Sequence, residues 1–243
     1  LQQRYQEAHG VQAFYVPNGG LLRERQQPRQ ILDWGLEPGN YILFLGRFSP
    51  EKNCHLLVEA FERIETGVKL VMAGAASYCD DYSRELHTHA SDRILMLDWV
   101  SGATLDELLT NAMLFVLPSD LEGLSLALLD AMGAGLCVLA SDIPENSEAV
   151  EGAGFLFKPG DADDLADRLR FLIANPAARE AAGRTARARV EEQYQWQDIA
   201  EEIERAYRSL VGEKLKSGAL KKPSTRVASA SASAAGAAER KAG

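Results

Sequence analysis

Short apolar runs and amphipathic helical segments alternate along most of the chain. Residues Tyr41–Leu45 (YILFL) form a continuous apolar run, which is typical of a strand buried on both faces of a parallel sheet. The next segment, Cys54–Ile64 (CHLLVEAFERI), has its apolar residues at helical spacing. The same patterns predict further strands at residues 69–73, 93–97, 114–117, 136–140 and 154–157, and further helices at residues 82–90, 124–134, 145–150 and 162–174.

This order of elements predicts an α/β fold with a doubly wound parallel sheet, Rossmann-like in its architecture. Consecutive parallel strands joined by helices form right-handed βαβ units. Ligands on such sheets bind beyond the carboxyl ends of the strands. We therefore expect functional residues in the loops that follow the strands. A helix is also expected to begin at Thr104, where Glu107 three residues later completes a capping-box pattern.

The regions before and after the sheet have different patterns. Leu1–Gly10 is predicted to be the end of a helix, Val11–Val16 a short strand and Pro17–Gly20 a turn. Residues 177–210 are predicted to form one or two helices with a break near Tyr194. From Glu213 onward the chain is rich in Ala, Ser, Lys and Gly. It is predicted to be disordered, because it has too few large apolar residues to order itself.

The composition is that of an ordinary soluble protein, but the charge is unevenly distributed. Of the 243 residues, 46% are hydrophobic and 25% are charged, and the formal net charge is −9. Residues 213–243 contain seven Lys or Arg and two Glu, so they carry +5 and leave −14 on the rest of the chain. An acidic body argues against a nucleic-acid-binding protein, because contacts to a phosphate backbone need a basic face.

Three cysteines, Cys54, Cys79 and Cys137, are widely spaced and form no zinc-binding motif. They are predicted to be reduced core or loop residues, which favours a cytoplasmic location. No apolar run approaches the roughly 20 residues that span a bilayer. The basic residues Lys221 and Lys222 leave peripheral contact with the inner face of the membrane open as an alternative to a solvated tail.

The loop after the first predicted strand contains two cations close to a glycine. Gly46 lets the backbone approach a ligand, and Arg47 and Lys52 follow before the next helix. Two cations beside a helix N-terminus suit a diphosphate, and each charge-assisted hydrogen bond to phosphate contributes roughly 1.5–3 kcal/mol. On composition alone, the alternative is a pair of solvated loop charges near Glu51.

The loop that begins at Pro118, after the fourth predicted strand, leads directly into a helix. The amide groups of Gly123 and Leu124 are expected at the helix start, where they would donate to sugar or phosphate oxygens. Glu122 is placed to accept hydrogen bonds from sugar hydroxyls. Asp130 lies about 12 Å further along the helix, comparable to the span from a donor sugar across a diphosphate to a ribose. The alternative is a capping Glu122 and an exposed, helical Asp130.

Taken together, these segments resemble the family-four retaining glycosyltransferases of the GT-B fold, over about residues 1–212. The resemblance rests on Gly46-Arg47 with Lys52, and on Pro118-Ser119 with Glu122-Gly123-Leu124 and Asp130. It continues through residues 131–135 and 140–142, and through Glu148, Gly154 and Gly160-Asp161. Pro17-Asn18-Gly19 is similar to the linker between the two domains of such enzymes.

The resemblance implies a retaining, metal-independent hexosyltransferase. Arg47, Lys52 and Glu122 would be the catalytic residues: the two cations bind the donor diphosphate and stabilise the departing nucleotide, and Glu122 holds donor-sugar hydroxyls. Asp130 stands where the family usually has Glu, so its contact with the ribose would be longer or water-mediated. No metal or cofactor is implied, and the UDP- or GDP-linked sugar is a substrate. The donor-binding residues would be Gly46, Arg47, Lys52, Glu122, Gly123, Leu124, Ser125 and Asp130.

The resemblance also implies that the chain corresponds to the C-terminal, donor-binding half of a GT-B enzyme. The acceptor site of such enzymes belongs to the N-terminal domain, so the acceptor, whether a carbohydrate, a lipid or a small molecule, stays open. The chain by itself is expected to bind donor weakly, to have little or no activity, and to expose an apolar stripe of Trp196, Ile199, Ile203 and Tyr207. The implied regions are a remnant of the N-terminal domain with its linker (1–40), the nucleotide-sugar-binding domain (41–190), a crossover helix (191–212) and a disordered basic tail (213–243).

Three other functions are alternatives. A non-catalytic nucleotide-sugar-binding or regulatory module would keep the donor site and lack an acceptor domain. A nucleotide-sugar epimerase of the GT-B fold would lack the Arg47/Lys52 and Glu122/Asp130 pairs. A dinucleotide oxidoreductase is disfavoured, because no GxGxxG motif opens the first helix.

Overall fold

A parallel sheet forms the centre of the chain. The computed structural model describes residues 2–10, 13–75 and 80–216, and in this part of the chain six strands are hydrogen-bonded in the order β3-β2-β1-β4-β5-β6. Every neighbouring pair is parallel, which confirms the predicted doubly wound α/β architecture. The strands are β1 (Tyr41–Leu45), β2 (Lys69–Ala73), β3 (Ile94–Leu97), β4 (Leu114–Leu117), β5 (Val138–Ser141) and β6 (Phe155–Phe157).

The first two helices precede the sheet in the chain, and the other helices connect the strands or follow the last of them. The sheet and most of these helices belong to one compact unit, residues 15–200, whereas α1 and the part of α10 from Glu201 onward belong to a second unit. No described helix has both the length and the apolar composition needed to cross a lipid bilayer. The helices are α1 (Gln2–His9), α2 (Gln30–Asp33), α3 (Cys54–Glu62), α4 (Asp80–His87), α5 (Gly102–Asn111), α6 (Leu126–Gly133), α7 (Pro144–Val150), α8 (Ala162–Ala174), α9 (Pro176–Gln193) and α10 (Trp196–Lys216).

The sheet is covered on both faces, as the apolar strands predict. Alternate residues of a strand point to opposite faces, so Ile42 and Phe44 pack into one core cluster with α3 and α8. Tyr41 and Leu43 pack into a second cluster with α5, α6 and α9. Each fully buried large side chain contributes about 1.5–3 kcal/mol relative to an exposed one. The apolar layers therefore hold the strands, while the loops at the strand ends stay free to bind ligands.

Two local predictions from the sequence are wrong. Residues 13–16, the described part of the predicted strand Val11–Val16, form no strand. Thr104 lies inside α5 and starts no capping box, because Glu107 instead accepts hydrogen bonds from the backbone amides of Arg29 and, at 3.0 Å, Ile31. The carboxylate is thus used to hold a distant connector, which no local pattern reveals.

The predicted apolar stripe on the last helix is only partly correct. Trp196, Ile203 and Tyr207 are exposed, but Ile199 is buried at 3% exposure within the larger unit. The break before this helix is confirmed, because α9 ends at Gln193. The helix continues to Lys216, and the rest of the predicted disordered tail lies outside the described residues.

The described cysteines are core residues, as predicted. Cys54 and Cys137 are buried and form no disulfide, and burial raises the pKa of each thiol to about 12. Both thiols therefore stay protonated at neutral pH and are poor nucleophiles. Cys79 lies outside the described residues.

A close backbone contact fixes the position of α9 against the loop between α6 and β5. A Cβ atom at Gly183, within the helix, would lie 2.2 Å from the carbonyl oxygen of Gly135. We expect Gly183→Ala to lower the free energy of unfolding by about 1–3 kcal/mol through overpacking, although Ala is the better helix former by about 1 kcal/mol. Urea denaturation followed by circular dichroism would measure the change. Gly67→Ala is the matched control, because a Cβ atom there meets nothing within 4 Å, and equal stability of the two variants would contradict this packing.

Candidate functional site

The two predicted loops meet at the carboxyl edge of the sheet. They follow β1 and β4, which are adjacent strands. The Nζ atom of Lys52 donates to Oε1 of Glu122 at 2.6 Å, and the side chains are only 15% and 6% exposed. The amide of Asp120 donates to the carbonyl of Glu51 at 3.0 Å, which fastens one loop to the other. Two residues that are 70 positions apart and were predicted for one site are thus in direct contact.

Local backbone geometry sets the position of Lys52. It ends a 3₁₀ turn that begins at Pro50, and Asn53 follows in the left-handed region with a φ of 49°. Asn tolerates this conformation better than most residues do, because its short polar side chain can bond locally. The chain then enters α3, so Lys52 lies just before a helix N-terminus, where anions are stabilised.

Arg47 lies in the same loop but is held less firmly. Its side chain is 57% exposed, and its Nη2 atom is 3.7 Å from Oε1 of Glu51. The hydroxyl of Ser49 donates to the same carboxylate at 2.7 Å and lowers the pKa of Glu51, and the charge of Arg47 acts in the same direction. An exposed ion pair of this kind contributes little to stability, so the guanidinium can leave it for a stronger anion.

A buried polar network supports the loop that carries Glu122. Ser119, Ser141 and Asn146 are all at most 1% exposed. The hydroxyl of Ser141 donates to the carbonyl of Ser119 at 2.5 Å, and Asn146 Nδ2 donates to that hydroxyl at 2.9 Å. The loops after β4 and β5 are therefore tied to each other below the site. The sequence analysis missed this role of Ser141 and Asn146, because the contact between Ser141 and Ser119 depends on the order of strands.

The helix after this loop begins later than predicted. It starts at Leu126, and the hydroxyl of Ser125 caps it by accepting from the amide of Leu128 at 3.4 Å. Gly123 and Leu124 therefore precede the helix, and their amides are loop groups and not part of its first turn. Ser125, predicted to bind donor, uses its side chain as a cap.

An asparagine in the predicted linker contacts this loop. Asn18 Nδ2 donates to the carbonyl of Leu124 at 2.7 Å, which holds the segment after Pro17 against the site loop. Gly19 and Gly20 allow the approach, since Cβ atoms there would lie 2.6 Å from the Trp196 side chain and 2.9 Å from a backbone oxygen. The turn pattern at these residues was visible in the sequence, but its contact with the site was not.

Asp130 is paired with a buried arginine that the sequence analysis missed. Its Oδ1 atom accepts from Nη1 of Arg23 at 2.9 Å and from the amide of Leu21 at 3.4 Å. The Arg23 side chain is 8% exposed and also donates through Nε to Asp106 at 2.7 Å. One oxygen of Asp130 is therefore occupied within the chain, and the other has no bond within the described residues. Asp130 and Glu122 are not in contact with each other.

Other predicted features lie away from these loops or have structural roles. The amide of Gly46 donates to the carbonyl of Ala73 at 3.1 Å, which holds the start of the loop close to β2. The carboxylate of Asp161 accepts from the amides of Asp163 and Asp164 and caps α8. Among the described residues, no group of three His, Cys, Asp or Glu side chains is arranged to bind a metal ion.

Comparisons with known proteins identify relatives of the chain. The family model of glycosyl transferases group 1 matches residues 27–189. The sulfoquinovosyl transferase SQD2 of Arabidopsis thaliana is 30% identical over 169 residues, which cover 67% of this chain and 32% of that protein. The alpha-maltose-1-phosphate synthase of Mycobacterium tuberculosis is 29% identical over 196 residues, which cover 74% of this chain and 51% of that protein. The chain thus spans about half the length of these relatives or less.

A solved structure shares the fold. HepE of Anabaena, crystallised in complex with UDP-glucose, superposes with a TM-score of 0.76 at 22% identity and covers 86% of this chain and 61% of that one. At this identity the likeness concerns the arrangement of strands and helices alone.

Arg23 provides a test of how the segment before the sheet is held. We expect Arg23→Met to lower the free energy of unfolding by about 1–3 kcal/mol, because Asp106 and Asp130 would lose their shared cation. Urea denaturation would measure it. Arg184→Met is the control, since that arginine is exposed and makes no ion pair within the described chain. If both variants were as stable as the parent, the ion pairs would be structurally unimportant.

Proposed function

The chain belongs to the glycosyl transferases group 1 family, and from this membership we propose that it is the donor-binding part of a retaining hexosyltransferase of the GT-B fold. In this proposal it binds a nucleotide-diphospho-sugar, and the whole enzyme transfers the hexose to an acceptor that the site does not identify. The observation that supports it best is the Lys52–Glu122 contact beside Arg47. A cation for phosphate and a carboxylate for sugar hydroxyls are joined at the carboxyl edge of the sheet, where ligands of such folds bind.

Lys52 and Arg47 are proposed to bind the donor diphosphate. An ammonium group has three N–H donors, and Lys52 uses one of them on Glu122, so two are available for phosphate oxygens. Arg47 is exposed beside it and can turn from Glu51 towards the same anion. As the bond between sugar and phosphate breaks, negative charge accumulates on the departing nucleotide, and the two cations stabilise it. In this scheme they act in place of a divalent metal ion.

Glu122 is proposed to position the sugar. Its Oε1 atom accepts from Lys52, which leaves Oε2 to accept from a sugar hydroxyl. The ion pair would then hold the sugar and its leaving phosphate in a fixed relation. Retention of configuration requires the acceptor to attack on the face that the phosphate leaves. We include it as part of the proposal, on the basis of the family resemblance.

The ribose contact is proposed for the free oxygen of Asp130. Arg23 and the amide of Leu21 hold Oδ1 of this residue, so the carboxylate is oriented before any ligand arrives.

We propose UDP as the first nucleotide to examine, because the structurally similar HepE was solved with UDP-glucose, and GDP as the second. The alternative is a non-catalytic nucleotide-sugar-binding module that keeps this donor site. We further propose that the protein acts in the cytoplasm.

Calorimetric titration with UDP, GDP and ADP and with their glucose or mannose conjugates tests the donor site. We expect saturable binding of one nucleotide, weakened about a hundredfold or more in Arg47→Ala/Lys52→Ala, because two charge-assisted contacts are lost. Arg47→Ala alone should weaken binding about tenfold and leave the fold intact, since its side chain is exposed. Arg184→Ala is the matched control on a distant surface.

Two results would count against the donor site. One is the failure of every nucleotide to bind at millimolar concentration. The other is equal affinity in the parent and the double variant. If a nucleotide binds as expected but no sugar is transferred to any acceptor in the presence of a GT-B partner domain, the binding-module alternative is correct.

Metal removal tests the role given to the two cations. We expect the affinity for the donor to stay within about twofold when EDTA replaces magnesium or manganese, because Arg47 and Lys52 supply the positive charge. The same titration, repeated in each buffer, gives the answer. Loss of binding in EDTA, restored by added metal, would show that the phosphates need a cation that these side chains do not provide.

A further inference from the structure

A polar pocket lies at the edge of the sheet opposite the candidate site, where β4 and β5 begin. Its volume is about 300 Å³, and its walls come from the ends of α5 and α6, the residues that lead into β4 and β5, and the start of α9. Small residues form much of its floor, among them Gly39, Ala112 and Gly135. The length of β4 separates the pocket from Pro118, roughly 16 Å at 3.3 Å per residue. No residue proposed for the donor site lines it.

The charges around this pocket favour an anion. Arg25 and Arg179 line it, with Glu180 as the one acidic side chain among the lining residues. Arg25 makes no hydrogen bond or ion pair within the described part of the chain. Arg179 donates Nη1 to the carbonyls of Leu172 and Ile173, so its other N–H groups remain available. The pocket also contains the first residues of α9, whose positive dipole end adds to the two guanidinium groups.

A buried acceptor in the wall points to a ligand with donors. Asn111 is 2% exposed and lines the pocket. Its Nδ2 group donates to the carbonyls of Gln26 at 3.1 Å and Glu107 at 2.9 Å, which fixes the orientation of the amide. Its Oδ1 atom has no hydrogen-bond partner. This oxygen is buried behind the surface of the pocket wall, so a hydroxyl or N–H group of a ligand would reach it after a small movement of the wall. The ligand group would be stabilised there, because a buried acceptor without a partner is unfavourable.

We propose that this pocket binds a small phosphorylated polyol or sugar. The phosphate lies between Arg25 and Arg179, and a hydroxyl group donates to Oδ1 of Asn111. Guanidinium groups match the geometry of phosphate oxygens, and the polyol supplies the donor that the amide lacks. A volume near 300 Å³ is at the lower end for ligand pockets and suits a compound of this size. The site is independent of the proposed donor site.

The test is titration of the whole chain with glycerol 3-phosphate, followed by calorimetry and by ¹H–¹⁵N NMR. We expect saturable, millimolar binding, with chemical-shift changes at residues 110–113 and not at residues 46–52. Arg25→Gln should weaken this binding about tenfold or more. Two control variants should leave this binding unaltered. They are Arg184→Gln, at an exposed arginine of α9 outside the pocket, and Arg47→Gln. Ethyl phosphate, which has the anion without the hydroxyls, should bind about fivefold more weakly because it cannot donate to Asn111.

Ribose 5-phosphate and glucose 6-phosphate would then show which size of sugar the pocket prefers. Three results would overturn the proposal: no saturable binding at millimolar concentration, unchanged binding in Arg25→Gln, or shift changes confined to residues 46–52. Equal affinity for ethyl phosphate and glycerol 3-phosphate would overturn the role of Asn111. Loss of donor binding in Arg47→Ala would concern the other edge of the sheet alone, so the two proposals fail separately.

Discussion

The described strands run in one direction and are covered on both faces, and this constraint decides where ligands can bind. Apolar side chains of β1 and β4 pack into clusters above and below the sheet, so neither face is open. Polar groups can gather only at the two edges where strands begin and end. Because all carboxyl ends lie at the same edge, the loops after β1 and β4 are neighbours, although they are far apart in the chain. The Lys52–Glu122 contact is a direct consequence.

Ion pairs between distant segments hold these edges together. Lys52 and Glu122 neutralise each other in a place with little water, where an unpaired charge would be strongly unfavourable. Arg23 forms ion pairs with Asp106 and Asp130, and these pairs hold the segment before the sheet against α5 and α6. Such pairs add less to stability than the apolar clusters do, but they set the direction in which each carboxylate points. In the proposed function, a donor would therefore meet groups that are already oriented.

The two edges of the sheet differ in how their charges are used. At the carboxyl edge each cation already has a carboxylate nearby, so a bound diphosphate would share Lys52 with Glu122 and take Arg47 from Glu51. At the other edge Arg25 has no such partner within the described chain, and Asn111 retains a buried acceptor. Under the two proposals, an anion at the carboxyl edge would share or replace the carboxylates that already pair with Arg47 and Lys52. An anion at the other edge would bind Arg25 without replacing a partner. β4 connects the two edges, because the pocket lies beside its first residue and the loop that carries Glu122 follows its last residue.

The sequence by itself determined the alternation of strands and helices, since continuous apolar runs and helical spacing are local properties. It also located Arg47, Lys52 and Glu122 at strand ends, because that position follows from strand order along the chain. Tertiary structure alone decided what each polar group contacts. Glu107 binds a connector and does not complete a capping box, and Asp130 is held by Arg23. These outcomes depend on segments up to 107 residues apart, and no local pattern encodes which distant partner a carboxylate will meet.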